Sequence, residues 1–216
     1  MITFCVFNQK GGVGKTSCAM LIADGLQKKG ARVLLVDTDP QKSAHMWEAR
    51  TVEGYSPYPV RVEAVSGLSI AEFSKWLTKR ISDIDYLIID TPPNLVSLEL
   101  EAALYICDVA VLPIQPHVAC IDALEKVIPL VKSIEKKRGA PLDIRVLLNH
   151  YVGRRSSEKY LLSSIKTISP WPILTATLKD LAGFSDAYTY RTSLYTLSGT
   201  SDARKALDTL VAELTT

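Results

Sequence analysis

Short apolar runs alternate with helical patterns along most of the chain. The apolar runs predict strands at residues 2–7, 32–37, 60–65, 86–90, 109–114, 144–149 and 173–175. Residues 33–36 are apolar at every position, which is typical of a central strand whose two faces are both buried in a parallel sheet. The strand pattern therefore favours a sheet covered on both sides rather than a half-exposed one.

The stretches between these runs predict helices at residues 15–29, 70–81, 121–137, 157–168 and 201–214. Gly30 is a natural end for the first helix, because glycine readily takes the left-handed conformation found there. We expect Pro129 to break or bend the third helix. The alternation predicts an α/β fold, a single doubly wound domain over residues 1–216 with a mainly parallel sheet and helices on both faces.

Composition narrows the class of protein. The chain has 216 residues, 47% of them hydrophobic, and can bury a substantial core without disulfides. A formal net charge of +2 excludes a strongly basic arm or acidic tail but leaves room for a local basic patch. The four cysteines form no CxxC pair, so we interpret them as buried free thiols. The sequence shows no signal peptide, and no apolar run approaches the length of about 18 residues that a membrane span requires. We therefore expect a cytoplasmic protein.

A glycine-rich loop follows the first predicted strand and opens the first predicted helix. Glycines let backbone N–H groups approach phosphates closely, and the helix N-terminus adds a positive dipole end. Lys15 is suited to bridging the β- and γ-phosphates, and the Thr16 hydroxyl to ligating Mg²⁺. We predict binding and hydrolysis of a nucleoside triphosphate, with ATP and Mg²⁺ as cofactors. The predicted nucleotide-binding residues of the loop are Lys10, Gly11, Gly12, Val13, Gly14, Lys15, Thr16 and Ser17.

The start of the loop departs from the strict phosphate-loop spacing. That spacing requires glycine at position 9, where the chain has Gln9, and the next residue is an additional lysine, Lys10. Lys10 either contacts the chain's own nucleotide or reaches across a dimer interface to a partner's nucleotide. In the second case it would neutralise charge as an arginine finger does. A solvated lysine at the mouth of the loop is the remaining alternative.

Three carboxylates follow predicted strands. In parallel α/β sheets ligands bind at the carboxyl ends of the strands, so Asp37, Asp39 and Asp90 are expected at one site. Asp90 resembles the Walker B aspartate that holds Mg²⁺, usually through water. Asp39 is our candidate for positioning the attacking water, and Asp37 for supporting the metal shell. Asn149, at another strand end, is a candidate contact for the nucleotide base. The catalytic candidates are Lys10, Lys15 and Asp39, and the metal candidates are Thr16, Asp37 and Asp90.

The loop together with residues 37–41 and 87–93 resembles the ParA/MinD group of deviant Walker ATPases, and residues 111–116 resemble the ParA branch. The resemblance implies weak basal ATPase activity and an ATP-dependent sandwich homodimer, with Lys10 contacting the nucleotide across the interface. It also implies nonspecific binding to duplex DNA, hence association with the nucleoid when ATP is bound. A ParB-like or adaptor partner would stimulate hydrolysis, and the cargo would be a plasmid, a chromosome or a protein complex. Because its first strand begins at residue 2, the chain is similar to the short ParA type without a helix-turn-helix domain.

A basic stretch between residues 144 and 170, with five basic residues and one acidic residue, gives independent but weaker support for DNA binding. We predict that Arg154, Arg155, Lys159 and Arg191 contact the DNA backbone once the protein dimerises, and an ordinary solvated basic face is the alternative.

A membrane-associated regulator of the MinD type is the second candidate function. However, the helix at residues 201–214 mixes acidic and basic residues on its polar face, which favours packing on the sheet and no membrane partner. A third candidate is a nucleotide-dependent metabolic or metal-cluster carrier enzyme on the same loop, and the absence of a CxxC pair counts against its metal-cluster version.

Overall fold

Strands and helices alternate along the computed structural model, which describes residues 1–153 and 155–216. The strands are β1 (Ile2–Val6), β2 (Val33–Asp37), β3 (Arg61–Ala64), β4 (Tyr86–Asp90), β5 (Val109–Ile114), β6 (Asp143–Asn149) and β7 (Ile173–Leu178). The helices are α1 (Lys15–Lys28), α2 (Ser43–Glu48), α3 (Ile70–Thr78), α4 (Leu98–Ile106), α5 (Val118–Arg138), α6 (Ser156–Ile168), α7 (Ala182–Tyr190) and α8 (Ser201–Leu214).

The strands form one sheet in the order β3-β2-β4-β1-β5-β6-β7, and every strand pair in the described residues is parallel. Almost every residue of β1, β2, β4 and β5 is buried, because helices cover both faces of these central strands. The predicted fold class, a doubly wound α/β sheet, is confirmed.

Each face of the sheet has its own layer of helices. Helices α1, α2, α7 and α8 pack on one face, with Ile22, Leu26 and Leu207 among the buried side chains. Helices α3, α4, α5 and α6 pack on the other. Helices α1 and α8 approach closely at Gly25, where an added Cβ would lie 2.7 Å from Val211 Cγ2. The apolar face of α8 is therefore buried against α1 and β7, as the prediction of packing on the sheet required.

Some predicted elements differ from the structure. The break expected at Pro129 is absent, and a bend there stays a prediction. Helix α5 runs continuously from Val118 to Arg138, and Pro129 lies on its exposed side, where water can satisfy the carbonyl that loses its N–H partner. Strand β7 continues to Leu178 because that residue pairs with Asn149. Helices α2, α4 and α7 had no predicted counterpart, since α2 has only six residues and the apolar residues of α4 and α7 show little helical periodicity. Within the described residues, no helix has the length and apolar character needed to cross a membrane.

Candidate functional site

The glycine-rich loop leads from β1 into the first turn of α1. Gly12 and Gly14 have φ angles of +75° and +86°, in the left-handed region that favours glycine. A Cβ on Gly14 would lie 2.4 Å from Asn149 Nδ2, so a side chain at this position would clash with the packed end of β6. The positive φ angle would in addition strain the backbone of any other residue. The loop therefore needs glycine here for both conformation and space.

Polar side chains from neighbouring strand ends hold this loop. Asn8 Nδ2 donates to the Pro113 carbonyl at 2.8 Å, and Gln115 Nε2 donates to the Gly12 carbonyl at 3.1 Å. Asn149 Nδ2 donates to the Val13 carbonyl at 2.8 Å, so its amide supports the loop. The contact between Asn149 and the base stays a prediction. Sequence reasoning missed Asn8 and Gln115, although polar residues directly after buried strands were the available signal.

The two lysines of the loop point to different neighbours. Lys15 is buried, and its Nζ donates to the Lys10 carbonyl at 3.3 Å. Burial lowers the pKa of Lys15, while Asp90 and Asp39 act in the opposite direction. Lys10 is half-buried, and its Nζ lies 3.7 Å from Cys120 Sγ in the first turn of α5. Lys10 is thus not a freely solvated lysine, and its role across a dimer interface stays a prediction.

Asp90 is a buried carboxylate whose oxygens have no hydrogen-bond partner among the described residues. It is fully inaccessible at the end of β4, and neither of its oxygens accepts a hydrogen bond from the part of the chain that the structure describes. Burial raises its pKa to about 7; Asp37 adds to the rise, and the nearby Thr16 hydroxyl and Lys15 oppose it without satisfying the oxygens. Buried polar atoms are nearly always paired, so two free carboxylate oxygens beside a hydroxyl fit a divalent cation such as Mg²⁺.

Asp37 lies beside Asp90 in the sheet register and has a different environment. Its Oδ1 accepts from the Asp39 backbone N–H at 3.0 Å, and its Oδ2 accepts from the His45 N–H at 3.1 Å. Burial raises its pKa, and these backbone donors lower it. Asp39 itself is half-buried at the mouth of the site. Asp37 therefore holds the segment that carries Asp39, and its direct role in the metal shell stays a prediction.

A largely apolar cavity of about 230 Å³ adjoins the start of α1. Its wall includes Ser17 and Asn149, and residues of α7 cover it. His150 and Asp180, which follow β6 and β7, lie at its edge with Nδ1 and Oδ1 3.8 Å apart. An apolar cavity with a few polar groups, next to a phosphate loop, suits a planar base. Sequence analysis did not single out His150, because the strand order that brings it here is not visible in a local pattern.

The predicted DNA-contacting residues do not form one patch on the chain. Arg155 and Lys159 are exposed at the start of α6, whereas Arg191 is half-buried at the end of α7, on the other face of the sheet. Arg154 lies outside the described residues. Arg145, from the same basic stretch, pairs with Asp143 and donates to carbonyls at the end of α8, so its charge is engaged within the fold.

The first strand of the parallel sheet runs through a glycine loop into a helix, and carboxylates lie at the ends of two adjacent strands. Together these features define a P-loop nucleotide-binding protein. The family model described as the CobQ/CobB/MinD/ParA nucleotide binding domain matches residues 4–194. The chain belongs to this family, which confirms the membership expected from the three motifs.

Individual relatives agree with this assignment. Maintenance of carboxysome distribution protein A from Halothiobacillus neapolitanus is 27% identical over 201 residues, covering 90% of this chain and 87% of that protein. The chromosome-partitioning ATPase Soj from Thermus thermophilus is 33% identical over 175 residues, covering 68% of each. An ATP complex of a variant of Cyanothece McdA has a TM-score of 0.78 at 20% identity, covering 100% of this chain and 96% of that one. This structural likeness shows a shared fold.

Proposed function

We propose that the chain, acting as one domain, is a ParA-type ATPase that dimerises around MgATP, binds DNA nonspecifically and positions a cargo. The observation that carries the proposal is that one phosphate loop has both an additional half-buried lysine, Lys10, and a buried carboxylate, Asp90, whose oxygens accept no hydrogen bond from the described residues. Relatives named for chromosome partitioning and carboxysome distribution support a positioning role. The cargo is a plasmid, a chromosome or a protein complex.

The residues of the site support a simple hydrolytic mechanism. Loop amides and Lys15 bind the phosphates, and Thr16 with Asp90 provides oxygen ligands for Mg²⁺, which neutralises phosphate charge when bound. Asp39, held by Asp37, orients a water molecule towards the γ-phosphorus. The water oxygen forms the new bond to phosphorus as the bond to the β–γ bridging oxygen breaks, and Lys15 stabilises the negative charge that develops.

Exposed apolar side chains near the loop support a dimer. Val96 and Leu98, which precede and begin α4, are 92% and 54% exposed, and Val118 at the start of α5 is 62% exposed. Both helices start at the carboxyl edge of the sheet, where the phosphate loop opens. A second copy that covered this edge would bury these side chains and bring its nucleotide within reach of Lys10. ATP then acts as the switch for pairing.

DNA binding is proposed through basic side chains that a dimer presents twice. Arg155 and Lys159 begin α6 on each copy, and weak phosphate contacts of this kind become effective when they are doubled. Arg191, on the other face, would contact DNA only if the duplex also reaches that side. The ATP-bound dimer would then associate with the nucleoid in the cytoplasm, until a ParB-like or adaptor partner stimulates hydrolysis.

The direct test is binding to a duplex of arbitrary sequence, with ATP, ADP or no nucleotide, over a range of salt concentrations. We expect dimers by light scattering and DNA binding only with ATP, with an affinity that falls steeply as salt rises. Lys15→Ala should abolish both through loss of nucleotide binding. Lys132→Ala, at an exposed lysine elsewhere on the surface, is the matched control. ATP-bound dimers that ignore DNA at low salt and sediment with liposomes would overturn the proposal in favour of a membrane-associated regulator.

A further inference from the structure

The contact between Lys10 and Cys120 joins the phosphate loop to α5. Cys120 is 1% exposed, and its Sγ lies 3.7 Å from the Lys10 ammonium. Across the described residues, no carboxylate forms an ion pair with Lys10. A neutral thiol is a weak hydrogen-bond acceptor, so this half-buried ammonium has a poor partner that any phosphate oxygen would outcompete.

The same region of the chain contacts the loop a second time. Gln115, just before α5, donates to the Gly12 carbonyl, and Asn8 donates to Pro113 at the end of β5. Two residues before Cys120, Val118 is exposed on the face proposed to meet a second copy. Direct contacts thus link the phosphate loop, including Lys10, to the start of α5.

We propose that Cys120 is a positioning residue that holds Lys10 against α5 until a phosphate of the partner's nucleotide competes for it. The weakness of the thiol as a partner lets the lysine leave at little cost, and its departure frees the first turn of α5 to adjust at the dimer face. This inference rests on the proposed ATP-dependent dimer. It assigns to Cys120 a role in setting how readily Lys10 becomes available.

The test replaces the weak partner with a strong one. Cys120→Asp would pair Lys10 with a carboxylate, so we expect ATP-dependent dimerisation to weaken by about tenfold, the cost of breaking a partly buried ion pair, while ATP affinity changes little. Cys120→Ser, whose hydroxyl is a stronger acceptor than the thiol but carries no charge, should weaken dimerisation by less than Cys120→Asp does. Adding Cys120→Asp to Lys10→Ala should cause no further loss, because the lysine that it would hold is gone. Ser133→Asp, an exposed position on the same helix, controls for added charge.

If Cys120→Asp caused the same loss with and without Lys10→Ala, the proposal would be overturned, because the effect would be merely structural. A second measurement does not depend on dimerisation: urea unfolding of the nucleotide-free single and double variants. Lys10→Ala is made both in the natural chain and in the Cys120→Asp variant, and the folded-to-unfolded ratio is measured in each. We expect the ratio to fall about fivefold more in the Cys120→Asp variant, because the ion pair is lost only there. Absence of this coupling would also overturn the contact. If no variant dimerises with ATP but the coupling is present, the proposed function fails while the Lys10–Cys120 contact stands.

Discussion

Asp24 and Asp90 are both buried carboxylates, but the structure surrounds them differently. Asp24, on α1, accepts from the Ser193 hydroxyl at 2.7 Å and from the Leu194 N–H at 2.9 Å, and it ties α1 to the segment after α7. Asp90 accepts no hydrogen bond from the described residues. Burial raises both pKa values, to about 6 for Asp24 and about 7 for Asp90. The same desolvation is thus compensated by hydrogen bonds within the fold at Asp24 and is not compensated by the described residues at Asp90.

If Asp90 binds Mg²⁺ as proposed, Asp24 is a structural carboxylate and Asp90 a functional one. A buried polar group that has its partners stabilises the packing around it, and its removal leaves those partners unsatisfied. A buried group without partners costs stability and persists where a ligand completes it. Asp24 should therefore matter for folding, and Asp90 for the chemistry of the site.

The largest expected effect is the loss of turnover in Asp90→Asn. The amide removes the negative charge proposed to hold Mg²⁺, so ATPase activity should fall by about a hundredfold or more and should respond little to added Mg²⁺. The free energy of unfolding of the nucleotide-free variant should not decrease, because no hydrogen bond of the described residues is lost. Steady-state phosphate release and urea unfolding measure the two quantities. A marked loss of stability with normal turnover would reverse our assignment of Asp90.

The complementary change, Asp24→Ala, should act mainly on stability. It leaves a buried hydroxyl and a buried backbone N–H unpaired, so we expect the free energy of unfolding to fall by about 3 kcal/mol. Turnover per folded molecule should fall far less than in Asp90→Asn. Asp202→Ala, at an exposed position on α8, is the control and should change stability little. Asp24 would not be a structural residue if its alanine variant unfolded at the same urea concentration as the natural chain.

The pH dependence of stability offers a third test. A carboxyl group whose pKa is raised on folding binds more protons in the folded protein between its unfolded and folded pKa values, so it makes stability fall as pH rises. For Asp90 this window runs from about 4 to about 7, and for Asp24 it ends near 6. We expect the difference in stability between the natural chain and Asp90→Asn to change through this window and to level off above it. Urea midpoints at successive pH values, without nucleotide, measure this; a difference that is flat with pH would contradict it.

The smallest expected effect concerns Gln115, whose hydrogen bond to the Gly12 carbonyl is exposed. Gln115→Ala should weaken ATP binding by about fivefold, because one exposed hydrogen bond contributes about 1 kcal/mol to holding the loop. Titration with a fluorescent ATP analogue measures the affinity, and Gln27→Ala on α1 is a matched control away from the loop. An unchanged affinity would show that the loop is held well enough by Asn8 and Asn149.

Local patterns predicted much of the fold and part of the site. Strands β4 and β5 and helix α8 have the predicted bounds, because apolar runs and helical periodicity are local signals. The phosphate loop was recognisable because its function requires particular residues at fixed spacing. Short helices such as α2 and α7 were missed, since tertiary packing rather than periodicity stabilises them.

By itself, the sequence determined the fold class, the phosphate loop and the carboxylates at strand ends, since each depends on residues close together in the chain. Only the tertiary structure decided which of these side chains have partners. The order of the strands brings Asn149 and Gln115 to the loop and sets Lys10 against Cys120. The strand order also places Lys159 and Arg191 on opposite faces of the sheet. It leaves Asp90 buried without a hydrogen bond from the described residues, whereas Asp24 has its partners. Partners distant in sequence meet only through the crossovers of the sheet, which no local pattern records.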